Sequence, residues 1–328
     1  MNDLRLDPLR QTWTIFSGTR TLPPKARRRA EAAPSPFTRG REAFAPHTLY
    51  AAPSAENWLV RVVPNRAPAL RIEGRTGIFA DGFYDHADGL GAHEVVIETP
   101  GSEPLEALPL PHVELVVEAW KKRMLDLMHD ARLRSFFIVK NVGALAGAHV
   151  AHAVSQLVVT AIVPTALKQK LRVARDFYEH KGRSIFDDIL REEVRVGSRL
   201  VYENNGFAVF CPYASRTPFE MAVYPKRQCA DFHGLSDQEL KQFADALRTA
   251  LRKLAGALDT PAYNLTLLTA PTRTARRDYW NTIDADFRWH AEIVPRLFPD
   301  DGIALATGCP VNFVLPETAA EHLRKVEA

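Results

Sequence analysis

Two short segments of this 328-residue chain carry side chains suited to phosphate chemistry, and they share a spacing. One reads His152-Ala-Val154-Ser-Gln156, the other Arg288-Trp-His290-Ala-Glu292. A His-x-His pair on a strand sets both imidazoles on one face, because side chains alternate with a period of two. Each segment keeps one place of such a pair: the leading His in the first, the trailing His in the second. Ahead of the first runs Asn141-Val-Gly143-Ala-Leu-Ala-Gly147-Ala-His149, a turn of small residues. Such turns leave backbone N–H groups open to a phosphate, and glycine reaches the backbone angles they need. Asn141, Gly143, Gly147 and Gln156 are the expected phosphate contacts, with a steric need of the turn as the competing reading. His149 is expected either to donate to that phosphate or to stand exposed in the turn. His152 and His290 are candidate acids, bases or nucleophiles, with a satisfied core histidine as the competing reading of His290.

These residues need strands to hold them, and the pattern around them supplies the strands twice. Trp58-Leu-Val-Arg-Val-Val-Pro64 and Phe207-Ala-Val-Phe-Cys-Pro212 are apolar runs ending at proline, and His93 to Pro100 matches Phe219 to Pro225. A long amphipathic helix follows in each half. The first spans about 111 to 130 and buries Val113, Val116, Val117, Trp120, Met124 and Leu127. The second begins at the capping box Ser236-Asp-Gln-Glu239 and runs to about Leu258. Strand pairs come next, 135–140 with 156–163 and 263–270 with 287–297. The Asn204-Asn-Gly206 turn predicts a hairpin at the start of the second half. The expected fold is α+β, with two repeated half-domains, each a mostly antiparallel sheet with a long helix. The expected domains are residues 1–183 and 184–328.

Composition limits the function classes. Hydrophobic residues make up 46% and charged residues 25%, a globular profile. A formal charge of +3 gives no general argument for nucleic acid, although a local phosphate site stays compatible with it. Cys211, Cys229 and Cys309 are widely spaced, which fits a reducing, cytoplasmic setting and not a cysteine zinc site. The opening residues have no apolar core for a signal peptide, and no run approaches a membrane span. Residues of about 20 to 57 read as an irregular arm. Its basic run Lys25 to Arg29 is expected to be a solvated loop, with an anion contact as the alternative.

The segment from Asn141 to Gln156 resembles the active-site motif of the galactose-1-phosphate uridylyltransferase family, a branch of the histidine-triad (HIT) superfamily. That motif reads Asn-x-Gly-x-x-x-Gly-Ala-Ser and then His-x-His-x-Gln. Further matches follow in order: Leu6 to Trp13, Trp58 to Leu70, Gly91 to Pro100, Pro212 to Glu220, Trp289 to Arg296 and Gly308 to Arg324. The Gly91 to Pro100 segment is close to an ADP-glucose phosphorylase-like branch. The resemblance implies tandem HIT-like half-domains, a homodimer, and a nucleotide sugar or sugar phosphate as partner, with no nucleic acid and no membrane. It also implies that Arg61, Asn65 and Arg66 contact nucleotide or phosphate. Tyr279, Arg288, Trp289 and Arg296 would line a sugar or second-phosphate pocket. His93 and Glu94 are expected to face solvent or a dimer partner.

The departures from the motif are as informative as the matches. The family's second His, which carries the nucleotide covalently, falls on Val154, and valine is no nucleophile. The zinc-binding Cys-Pro-Phe-Cys segment becomes Ser35-Pro-Phe-Thr38, and a further ligand falls on Ser102, so only His152 remains of four. In the second half Glu193 and His290 correspond to metal ligands, and Arg288 replaces another. The expectation is no metal and no cofactor. Three readings of function stay open: a diverged enzyme acting on a nucleotide sugar or sugar phosphate without a covalent intermediate, a nucleotidylyltransferase with a relocated nucleophile (His149, His152 or His290), or a non-catalytic binding protein.

Overall fold

The computed structural model describes residues 2–17, 35–273, 281–299 and 302–327. The basic run Lys25 to Arg29 and Tyr279 lie outside them. The chain opens with a hairpin, β1 (Asn2–Leu6) and β2 (Trp13–Ser17). The first half supplies β3 (Tyr50–Ala52), β4 (Val60–Pro64), a small hairpin of β5 (Phe79–Asp81) and β6 (Tyr84–His86), and β7 (Gly91–Ile97). Then come helix α1 (Leu110–Leu127), β8 (Ser135–Val142) and β9 (Val154–Thr160). Two helices lead onward, α2 (Thr165–Lys181) and α3 (Ile185–Val196). The second half runs through β10 (Leu200–Glu203), β11 (Phe207–Phe210), β12 (Met221–Pro225), α4 (Asp237–Leu258), β13 (Tyr263–Leu268), a short α5 (Ile283–Asp286) and β14 (His290–Pro295). After it come α6 (Gly302–Thr307), β15 (Val311–Asn312) and α7 (Pro316–Arg324).

The expected repeat is present, and it is more tightly joined than two bodies laid against each other. One ten-stranded sheet runs β10-β11-β12-β14-β13-β8-β9-β7-β4-β3. The halves meet edge to edge where β8 pairs antiparallel with β13, from Val142 opposite Tyr263 to Phe137 opposite Leu268. Outward from that seam each half shows the same strand order, including the exchange that puts β9 and β14 inside β7 and β12. The Asn204 side chain accepts from the N–H groups of Gly206 and Phe207, which closes the expected β10–β11 hairpin. The Ser236–Glu239 capping box starts α4 as expected.

Period-two alternation gives the sheet two different faces. On one, α1 and α4 lie against Val60, Val62, Val96, Phe136, Leu157, Phe207, Val209, Leu265 and Ala291 in a single large core. On the other face the halves differ. In the second half α2 and α3 cover Ala208, Phe210, Ala222 and Tyr224 with Leu167, Leu171, Phe186 and Leu190. In the first half a small apolar cluster of Trp58, Val63, Val95 and Ile97 is joined by Phe37, Ala51 and Val154. No helix among the described residues is long and apolar enough to cross a membrane.

Candidate functional site

The second face of the first half brings three side chains together. Gln156 on β9 stands on the same face as Val154, and β7 lies alongside with Val95 opposite Gln156 and Ile97 opposite Val154. Ser155 points the other way, buried and accepting from the Trp120 indole at 2.8 Å. His93 lies on the Gln156 side: its Nε2 is 2.6 Å from Gln156 Oε1 and 3.0 Å from Asn65 Nδ2. Its Nδ1 takes the N–H of Ala69 at 3.0 Å. A backbone N–H can only donate, so Nδ1 carries the lone pair and the neutral ring keeps its proton on Nε2, which donates to Gln156. The Gln156 oxygen is thereby occupied, and its NH2 remains as a donor. His93 is therefore held on the Gln156 face, whereas Glu94 turns to the other face and pairs with Arg123 at 2.6 Å.

The glycine turn is built for its own closure. Gly143 has φ +84°, and a Cβ there would stand 2.7 Å from the Ala262 Cβ. The N–H groups of Ala146 and Ala148 donate to the Gly143 carbonyl, and that of Gly147, itself at φ +78°, to Ala144. Asn141 accepts through Oδ1 from Asn264 Nδ2 at 2.8 Å, directly across the seam. His149 is exposed. Val154 is half-buried among the apolar cluster, and its carbonyl accepts from Lys140, whose ammonium also pairs with the buried Glu98 at 2.6 Å.

The other expected residues divide by surroundings. Arg61 is buried, donating to Thr48 Oγ1 at 2.8 Å and to the Pro46 carbonyl at 3.3 Å, so it ties the preceding segment to β4. Arg66 is exposed beside Asn65. Arg288 is 1% exposed, and its guanidinium donates to the carbonyls of Pro225, Lys226 and Arg227 and pairs with Asp187. It holds the 225–227 loop together. Trp289 is fully buried among Phe207, Phe232 and Phe243. Arg296 lines a small cleft of about 200 Å³ with Arg216 and Phe298, apart from the Gln156 face.

The two places where metal ligands correspond do not fit a metal. Ser35 Oγ accepts from the Phe37 N–H, His152 Nε2 donates to the Thr99 carbonyl at 2.9 Å, and Phe37 packs edge-on against the His152 ring. Burial lowers the His152 pKa, so the ring is neutral and structural. In the second half Glu193 is engaged by Arg199 at 2.8 Å, and His290 Nε2 by the Lys170 ammonium at 2.9 Å. His290 Nδ1 donates to the Arg288 carbonyl, leaving Nε2 to accept from Lys170. Burial and then the Lys170 charge hold the His290 pKa down. Glu292 receives Lys170 at 2.5 Å and Arg216 at 2.7 Å. Burial opposes its ionisation, but these two charges outweigh burial and hold it well below the ordinary carboxylate range. Among the described residues no three His, Cys, Asp or Glu side chains group so as to hold a metal ion.

Sequence reasoning missed His93 and Lys170. His93 was expected to face solvent or a dimer partner, and its contact with Gln156 joins residues 63 apart, which no local pattern carries; Lys170 lies on α2, a helix no motif marked.

The fold and these motifs have counterparts in known proteins. The galactose-1-phosphate uridyl transferase N-terminal domain profile matches residues 38–164. An ADP-glucose phosphorylase from Arabidopsis thaliana is 30% identical over 335 residues, covering 99% of this chain and 93% of that protein. A galactose-1-phosphate uridylyltransferase from Thermotoga maritima is 26% identical over 336 residues, covering 100% and 99%. The crystal structure of an ADP-glucose phosphorylase from Arabidopsis thaliana with bound ADP-glucose has a TM-score of 0.85 at 29% identity, over 100% of both chains. A uridylyltransferase structure shares the fold at a TM-score of 0.76 and 23% identity, over 99% of this chain and 97% of its own.

Proposed function

The chain belongs to the galactose-1-phosphate uridylyltransferase family, and from that premise we propose that it acts on a nucleoside diphosphate sugar or sugar phosphate without a covalent histidine–nucleotide intermediate. One observation carries the reading. By the resemblance Val154 falls where the family's motif has its nucleophile, while beside it His93 donates to Gln156 on one face, with Asn65 alongside. With no imidazole to form a covalent intermediate, transfer at phosphorus proceeds by direct displacement. Gln156 supplies an amide N–H to a phosphate oxygen, Asn141 and the Gly143–Gly147 turn shape the wall, and Arg66 adds charge at the rim. Preorganised donors of this kind stabilise developing charge without reorganising at the moment of reaction.

A second reading, binding without turnover, is supported by the arginines. Arg61 and Arg288 are both engaged with protein groups, so little cationic stabilisation is left for a transferring phosphoryl group. The two readings part on one experiment: incubation with ADP-glucose or UDP-glucose, with and without phosphate or a hexose 1-phosphate. Intact-protein mass and nucleotide chromatography are then measured. Product without protein-bound nucleotide supports displacement. A thermal shift without product supports binding alone. An acid-labile, base-stable nucleotidyl adduct overturns both.

The same reading takes the protein as a cytoplasmic homodimer. Phe83 and Tyr84 of the β5–β6 hairpin and Ile78 just before it are strongly exposed, and a dimer would cover such a surface. Light scattering of the purified chain tests the dimer; a monomer at micromolar concentration would rule it out.

A further inference from the structure

The cavity on the second half of the sheet has no role in that function. It holds about 640 Å³ between the outer face of β11 and β12 and helices α2 and α3, within the roughly 300–1,000 Å³ range of small-molecule sites. Its walls are apolar and partly aromatic: Leu9, Phe177, Ile185, Ile189, Phe210 and Ala222. One end is ionic. Arg10 pairs with Asp7 at 2.6 Å and with Glu220 at 3.2 Å, and Lys170 pairs with Glu292 at 2.5 Å. Behind them Arg216 bridges Glu220 and Glu292, each at 2.7 Å. Three cations meet three carboxylates, and His290 beside them is neutral. At the other end Glu193 is matched by Arg199.

We propose that this cavity is a binding site for an uncharged, hydroxyl-bearing ring, of the kind found in free sugars and nucleosides. Charge selects the class. A phosphate entering here meets six lining carboxylates (Asp7, Asp188, Glu192, Glu193, Glu220 and Glu292) against three lining cations (Arg10, Lys170 and Arg199), so nothing offsets its desolvation. A neutral ring with hydroxyls meets alternating N–H donors and carboxylate acceptors at the floor and apolar walls for its carbon face. Stability alone does not account for the floor, because replacing a buried ion network by apolar groups is often neutral or stabilising. Position adds to the argument. Strand order and register put Glu292 of β14 where the first half has Gln156 of β9, on the same sheet face. The second half thus repeats the placement of the first-half face with a different chemistry, and α2 and α3 roof it.

The test is isothermal titration calorimetry of the full chain with adenosine and with glucose, each alone, beside AMP and glucose 1-phosphate. At least one neutral ring is expected to bind at least tenfold more tightly than its phosphate ester at the site that Ile189→Trp blocks. Ile189 is half-buried on α3, so the indole fills the cavity from its roof, and unchanged circular dichroism confirms the fold. If that variant does not fold, a crystal soak with the tighter ring decides by whether density lies against Phe210 and Glu292. No binding by either ring overturns the proposal. So does binding that survives Ile189→Trp, tighter binding of the phosphate esters in this cavity, or density only beside Gln156.

Discussion

His93 donates its Nε2 proton to the Gln156 carboxamide oxygen across 2.6 Å, joining residues that lie 63 apart in the chain. The Ala69 N–H fixes the tautomer, so the pair acts as one unit that leaves the Gln156 NH2 to donate. Gln156→Ala removes that donor, and His93→Phe frees it to rotate. Each is expected to lower kcat/KM, or affinity if turnover is absent, by about tenfold to a hundredfold, the range for a hydrogen bond to a charged group. The double variant is expected to lose less than the product of the two losses, since the residues share one interaction. Full additivity in kinetics or calorimetry would show that His93 does not orient Gln156.

Val154→His tests whether the rest of the first-half face still suits covalent chemistry. The side chain is half-buried at the edge of the Trp58 and Ile97 cluster, on the same sheet face as Gln156. The variant is expected to gain an acid-labile nucleotidyl adduct on incubation with a nucleotide sugar, detected by intact mass, where the parent shows none. A folded variant without adduct would mean the pocket has been rebuilt around valine.

Much of this arrangement was legible in the sequence because it is written in local periodicity. The 154–156 and 290–292 segments alternate as strands do, with His152 and Arg288 just ahead of them, and the Ser236 box and the Asn204–Gly206 turn act through contacts a few residues apart. What was illegible depends on distant partners. Arg288 read as a ligand contact, yet it meets carbonyls 225–227 and Asp187, none of them near it in sequence. Helices α2 and α3 carry buried residues at helical spacing (Leu167, Leu171, Ala174), but nothing in that spacing says they roof half of one sheet face and leave the other half without them.

Stability should fall with acid in a defined window. Burial lowers the pKa of His152, and burial with the Lys170 charge lowers that of His290. The unfolded chain then binds these protons more tightly, so their contribution is complete above the unfolded value of about 6.5 and is lost as pH falls from there through the lower folded pKa of each ring. Urea melts are expected to be level from about pH 8 to 7 and to weaken below about 6.5, by up to roughly 1.4 kcal/mol per pH unit for each histidine. His152→Gln, which can still donate to Thr99, should flatten the slope. An unchanged slope assigns the dependence to other groups.

Gly143→Ala is expected to destabilise the protein by about 1–3 kcal/mol, since it combines a positive φ with backbone and Cβ contact at Ala262. Gly147→Ala has the same φ penalty but open space around it, so it should cost less. Equal midpoints in urea would mean that contact with Ala262 is relieved by a small shift of β13.

Lys170→Met leaves Glu292 with Arg216 alone and strips the His290 lone pair of its donor. The expected loss is about 3–5 kcal/mol in chemical denaturation. Lys170→Met/Glu292→Met should recover part of it, since removing both partners avoids a stranded charge. A double variant weaker than the single would show that Glu292 is needed by Arg216 more than by Lys170.

The pairing of β15 with β2 bears on how the chain matures during synthesis. Val311 lies beside Ile15 and Asn312 beside Phe16 in a parallel match, while Arg5 reaches Glu317 at 3.0 Å. A ribosome therefore releases the opening hairpin long before the strand that completes its small sheet exists. Until residue 312 has emerged, the turn at Asp7 to Arg10 lacks that support, and this turn forms one wall of the second-half cavity. The cavity is among the last parts of the molecule to be finished, and a nascent chain arrested before β15 should hold the ten-stranded sheet but not a closed binding pocket.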